Sequence, residues 1–137
     1  MHFSKTAEYT IRVLLYLHLH QSQAHSVAFL HKELDLPYKY LTKLMTQLEK
    51  RGLLVSKKGR NGGFRLAMDA KEIYLSDILE AIDEPIDENR CILGFEMCDA
   101  LNPCALHNKW VGPKKKIENM IQTTSLASLA KDNNTKM

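Results

Sequence analysis

The sequence predicts a mainly α fold, a winged helix-turn-helix unit followed by one long helix, and three observations predict it. Apolar residues recur at three-to-four spacing in successive stretches before Gly52. Only Asp35-Leu36-Pro37 separates the second stretch from the third. A lysine- and glycine-rich segment, residues 57–63, then divides two short runs of β-forming residues.

The first helix starts from a Ser4 or Thr6 cap and runs to about Gln21, with Ala7, Ile11, Leu14, Leu15 and His18 on its inner stripe. From Val13 onward it is apolar almost all round, which calls for burial on more than one side. Ser26 caps a short second helix with Val27, Leu30 and Leu34 inward. That helix stops at Asp35-Leu36-Pro37, because a residue preceding proline is pushed out of the helical region. Pro37 suits the first turn of the third helix, where its missing N–H does no harm. The third helix runs to Arg51 with Leu41, Leu44, Met45 and Leu48 inward, and Gly52 stops it.

Leu53-Leu54-Val55-Ser56 and Phe64-Arg65-Leu66 form a hairpin about the glycine-rich tip, with Asn61-Gly62 as the turn signal. Ser76 caps a short helix over residues 77–82, and acidic loop follows. Asn102 and Pro103 read as the N-cap and first position of a longer helix reaching about Ile121, and a last short helix starts after Thr124 or Ser125. The expected organisation is a winged helix-turn-helix domain over 1–68, a short helix and cysteine-bearing loop over 69–101, a long helix and C-terminal helix over 102–130, and a disordered tail over 131–137.

Composition bounds the function. With 137 residues, 45% hydrophobic and 26% charged, the chain is neither collagen-like, low-complexity nor wholly disordered. The longest uncharged apolar stretch, residues 13–19, is too short to span a bilayer, so no membrane partner is expected. No cleavable leader pattern opens the sequence, which suggests a cytoplasmic protein. There is no nucleophile elbow and no Walker-type phosphate loop, so an enzyme is not expected.

The net charge of +3 hides an asymmetry: residues 1–68 carry 11 Lys/Arg against 4 Asp/Glu, and residues 69–111 carry 3 against 10. A basic half suits a polyanion, here double-stranded DNA. With Leu41, Leu44 and Leu48 in the core, the third helix turns Tyr38, Lys39, Thr42, Lys43 and Thr46 outward as donors and cations for phosphates and base edges. Lys57, Lys58, Arg60 and Arg65 sit on or beside the hairpin, whose glycines allow close approach to a phosphate or the minor groove. One such module binds weakly, and specific recognition usually needs a two-fold dimer on paired half-sites. The long helix offers the contact through Leu106, Trp110, Ile117, Met120 and Ile121, which makes it a dimerisation helix.

Cys91-x6-Cys98-x5-Cys104-x2-His107 is the segment richest in chemistry. Three cysteines in a short acidic stretch point away from a disulfide framework. Thiolates bind zinc and iron–sulfur clusters alike, and a metal-free thiol sensor or plain burial would use the same residues. Cys104 at the second position of the long helix would have its thiol pKa lowered by the helix dipole, with His107 on the same face.

In these motifs the chain resembles the IscR/NsrR-type winged-helix regulators, the Rrf family of bacterial transcription factors. The resemblance rests on Ser4-x3-Glu8-Tyr9-x2-Arg12, Lys39-Tyr40-Leu41, Leu48-x3-Gly52-Leu53, Lys58-Gly59-Arg60-Asn61-Gly62-Gly63-Phe64, Ala81-Ile82-Asp83-Glu84, the three cysteines, His107 and Trp110. It implies a homodimer on a palindromic operator, with a [2Fe–2S] or [4Fe–4S] cluster that reports nitric oxide, redox or iron–sulfur status. By the same resemblance Cys91, Cys98 and Cys104 match the cluster thiolates, His107 the fourth ligand, and Glu8 the carboxylate that other members use instead. Zinc or no metal at all remains the alternative. The chain departs from the family in a Cys91–Cys98 gap one residue longer than in the IscR type. It also has Gly112-Pro113 inside the dimer helix, which predicts a kink there.

Overall fold

A computed structural model of the chain describes residues 2–131 and 136. Three helices, α1 (Lys5–Leu19), α2 (Val27–Leu34) and α3 (Tyr38–Lys50), precede a hairpin of β1 (Leu54–Lys57) and β2 (Gly63–Leu66). A 3₁₀ turn (Ala70–Glu72), α4 (Leu75–Ala81), α5 (His107–Thr123) and α6 (Leu126–Leu129) complete the fold. The expected tail over 131–137 lies, but for Lys131 and Lys136, outside the described residues.

The local chemistry explains the first three helices. Ser4 Oγ accepts the Ala7 N–H at 3.0 Å, and Ser26 Oγ accepts the Phe29 N–H at 3.1 Å, each satisfying a donor the helix cannot. Asp35 ends α2 in the left-handed region at φ 54°, and Gly52 follows α3 at φ 82°. α3 packs Leu41, Leu44, Met45 and Leu48 into the core and leaves its other face to water.

The hairpin is antiparallel, with Leu54 opposite Leu66 and Lys57 opposite Gly63. Its tip is not a two-residue Asn-Gly turn: Gly62 N–H closes on Gly59 O at 3.0 Å, so Asn61 alone of that pair takes a left-handed φ, 61°. Nor does Ser76 cap α4. Tyr74 is the cap, and the Asp77 carboxylate accepts its N–H at 2.8 Å, placing Ser76 inside the helix.

The C-terminal end folds back onto the N-terminal unit. Leu126 N–H donates to Ile73 O at 2.7 Å and Leu75 N–H to Thr124 O at 3.0 Å, which brings α6 against α1 and the 3₁₀ turn. One hydrophobic cluster therefore runs from Ala7 through Leu41, Leu48, Ile73 and Ile78 to Ile121 and Leu126. α5 begins at His107, four residues later than an Asn102 cap suggested. Asp99 Oδ1 takes the Leu101 N–H at 2.8 Å and His107 N–H bonds Cys104 O at 3.1 Å, so the chain turns twice before the helix starts. α5 then stays helical through Pro113, whose missing N–H leaves one carbonyl unbonded in the ladder.

Candidate nucleic-acid interface and thiol loop

Tyr38, Lys39, Thr42, Lys43 and Thr46 are all exposed on α3, and Lys57, Lys58, Arg60 and Arg65 are exposed on the wing. The wing is fixed by a contact that the sequence did not reveal. His25 N–H donates to Phe64 O at 2.9 Å and Phe64 N–H to His25 O at 2.8 Å, while the buried His25 ring donates from Nε2 to His20 O at 2.8 Å. Gly63, at φ 140°, makes this possible, because a Cβ there would lie 2.4 Å from the His25 carbonyl oxygen. Arg65 reaches back to donate to Gln21 O at 3.2 Å, so it braces the wing while lying on its exposed side.

Behind α3 lies a second set of contacts that periodicity could not reveal. Arg51 pairs with Asp83 at 2.5 Å, and Gln47 Nε2 donates to Ala81 O at 2.9 Å and to Asp83 Oδ2 at 3.3 Å. Asp83 holds φ 60°, the left-handed position after a helix end that glycine or asparagine usually fills. The next residue, Glu84, accepts from Ser4 Oγ, the cap of α1. The start of the thiol loop is thereby tied to both α1 and α3.

From residue 84 to 106 the chain has no helix or strand. Cys91 is buried, 2% exposed. Burial pushes its thiol up, but the N–H groups of Leu93, Phe95 and Gly94 and the Cys104 thiol outweigh that and hold it below the ordinary thiol range. Gly94 supports this arrangement with φ 83° and a bond from its N–H to Cys91 O at 3.0 Å. Cys98 Sγ lies 3.6 Å from His107 Nδ1.

Cys104 is not on α5, so the helix-dipole argument for its thiol fails. It precedes the N-cap Leu106 and shares no helical face with His107, the first residue of the helix. Glu8 is engaged elsewhere, bonded to Lys5 at 2.9 Å and thereby raising the Lys5 pKa.

Of the four candidate ligands, Cys98 and His107 thus stand together as one pair. Among the described residues no three Cys, His, Asp or Glu groups are gathered about one point. The donor set itself fits thiolate-bound iron: three sulfurs, one of them buried and ringed by backbone N–H groups, plus an imidazole. The loop is anchored to α5 at Glu88, whose carbonyl accepts from Lys114 Nζ and whose carboxylate accepts from Gln122 Nε2 at 2.9 Å.

The apolar stripe of α5 divides. Ile121 is buried in the core of this chain and Ile117 packs against it, whereas Leu106 and Met120 are exposed. Trp110 is half-buried and lines, with Ile86, Ile92 and Ile117, a groove of about 270 Å³ behind Cys91. Among the described residues no helix is long and apolar enough to cross a membrane.

The sequence model of a family described as Rrf2, iron-dependent transcriptional regulator, matches residues 3–132. The HTH-type transcriptional regulator IscR of Yersinia pestis is 30% identical over 130 residues, covering 94% of this chain and 79% of its own. Among solved structures, CymR (YrzC), the global cysteine regulator of B. subtilis, superposes with a TM-score of 0.77 at 22% identity, covering 95% of this chain and 96% of its own. IscR of T. potens superposes with a TM-score of 0.74 at 22% identity, covering 100% of this chain and 93% of its own. The two structural likenesses establish the winged-helix fold.

Proposed function

The chain belongs to the Rrf2 family of transcriptional regulators, and from that premise we propose that it works in the cytoplasm as a homodimer on a palindromic operator, with DNA affinity set by an iron–sulfur cluster on Cys91, Cys98 and Cys104. The family makes it a DNA-binding regulator and not an enzyme. The observation that carries the sensor reading is the tie between the two regions: Asp83, one residue ahead of the thiol loop, is bonded to Gln47 of α3 and to Arg51 at its C-terminal cap.

His107 is the fourth ligand in this reading, supported by its place 3.6 Å from Cys98 Sγ and by the engagement of Glu8 with Lys5. A bound cluster supplies a redox-active centre, and this chain supplies the mechanics. Cys91, Cys98, Cys104 and His107 would hold such a cluster, and any change in their loop would be felt at α5 through Glu88 and at α3 through Asp83. A coupling of about 1–3 kcal/mol changes DNA affinity roughly 5- to 150-fold.

Leu106, Met120 and the exposed side of α5 supply the contact with the second copy. Lys58 and Arg60 hold phosphates, so Lys58→Ala and Arg60→Ala weaken binding to all duplexes evenly and lower its salt dependence.

The test is anaerobic purification followed by native mass spectrometry and gel shifts on duplexes selected from a random library. The expected protein is a brown dimer whose visible absorbance is bleached by nitric oxide or oxygen, and whose holo and apo forms differ in affinity. A colourless protein with about one zinc per chain overturns the cluster, and equal affinity of the two forms overturns the sensor. The three free cysteines favour one second reading, a metal-free thiol switch. It predicts a colourless protein whose DNA binding follows peroxide and dithiothreitol.

A further inference from the structure

Thr42 and Thr46 stand four residues apart on the exposed face of α3, one turn from each other, with Lys39 and Lys43 beside them. A threonine hydroxyl has one proton to give, and both are committed. Thr42 Oγ1 donates to the Tyr38 carbonyl at 3.0 Å, and Thr46 Oγ1 donates to the Thr42 carbonyl at 3.0 Å. What each residue offers outward is therefore a methyl group and an oxygen that can only accept. From this we infer that Thr42 and Thr46 are specificity residues that read A·T pairs through the thymine methyl group, an inference that rests on the DNA-binding reading above.

The edges of the bases in the major groove make the match specific. In the major groove an A·T pair presents adenine N7, the adenine N6 donor, thymine O4 and the thymine C5-methyl group in that order, and the methyl group is the one apolar feature, which a threonine methyl group complements. A G·C pair has no methyl group there, while its cytosine N4 donor satisfies an acceptor oxygen as well as adenine N6 does, so the discrimination rests on the methyl contact. Phosphate oxygens are also acceptors, so a hydroxyl that has spent its proton serves them only by breaking its bond within the helix. Phosphates fall instead to Lys39 and Lys43, whose ammonium groups carry three donors each and which form no ion pair among the described residues. On one face of α3 the lysines thus supply affinity and the threonines supply sequence.

The experiment begins with selection of duplexes from a random library by the full-length protein. Each thymine of the selected half-site is then replaced in turn by deoxyuridine, which lacks only the methyl group. The expected result is about a fourfold loss of affinity at one or two thymines, the worth of one buried methyl group. Thr42→Val and Thr46→Val, which keep the methyl groups and drop the hydroxyls, retain that sensitivity. Thr42→Ser and Thr46→Ser, which keep the hydroxyls and drop the methyl groups, abolish it. Indifference to deoxyuridine at every position, or a uniform loss of affinity in the valine variants, overturns the inference and makes the threonines phosphate donors. Failure to enrich any duplex overturns the DNA-binding reading itself, and this inference with it.

Discussion

In α3 the apolar side chains Leu41, Met45 and Leu48 are fully buried while Lys39, Thr42 and Lys43 face water. In the thiol loop the order is inverted: Phe95 is 64% exposed and Leu101 95% exposed, while the thiol of Cys91 is 2% exposed. The helix is placed by apolar burial, a force that acts on every third or fourth residue and leaves its period in the sequence. The loop is placed by a sulfur, the N–H groups around it and a few anchors such as Glu88, and none of these has a period. One region is held by many weak and redundant contacts, the other by few and specific ones.

The largest effect expected from this contrast comes from the packed side. Leu48 has no exposed surface, so Leu48→Ala leaves a cavity beneath α3. A loss of about 2–5 kcal/mol in stability is expected from urea unfolding. A loss below 1 kcal/mol would mean that α3 is held by the Arg51–Asp83 and Gln47 contacts and not by its core face, which would break the contrast.

Gly63→Ala comes next. Its added Cβ meets the His25 backbone at a φ of 140° that alanine avoids, so the bridge between β2 and His25 must open. About 1–3 kcal/mol of destabilisation follows, and the freed wing weakens binding on every duplex alike. Unfolding and gel-shift titrations together check this, and an unchanged variant would show that the wing needs no pin.

How much was legible in the sequence follows the same division. Ser4, Ser26 and Gly52 announced their helix ends because capping is local chemistry between residues three or four apart. Asn102 and Ser76 carried the same signals and were outcompeted, the first by the Asp99–Leu101 turn and the second by Asp77 reaching back to Tyr74. The thiol spacing named candidate donors but not the neighbours they would find, because Cys98 meets His107 through turns that the spacing does not encode. Asp83 was visible only as part of a family motif. Its left-handed backbone and its bond to Arg51 join residues 32 positions apart, and no local pattern spans that distance.

That long-range join should have a smaller effect on stability and, in the proposed sensor, a larger one on signalling. Arg51 and Asp83 are both exposed, so an ion pair there contributes about 0.2–1 kcal/mol. In a double-mutant cycle of Arg51→Ala and Asp83→Ala, the coupling in stability should fall in that range. The ratio of holo to apo DNA affinity should collapse toward unity in each single variant. If the ratio survives both substitutions, the signal travels through Glu88 and α5 instead, and the two regions meet only at the second copy.

The smallest effect belongs to Leu101. Truncating a side chain that already stands in water removes almost no burial from the folded chain, so Leu101→Ala should stay within about 0.5 kcal/mol of the parent in urea. Its value lies in a second measurement, the dissociation constant of the proposed dimer by analytical ultracentrifugation. An unchanged constant places the loop's apolar tip in solvent and leaves α5 alone to hold the two copies. A weakening of about tenfold, worth some 1.4 kcal/mol, would mean that the tip is buried against the second copy. The loop would then also be placed by apolar burial, supplied by a neighbour rather than by its own core.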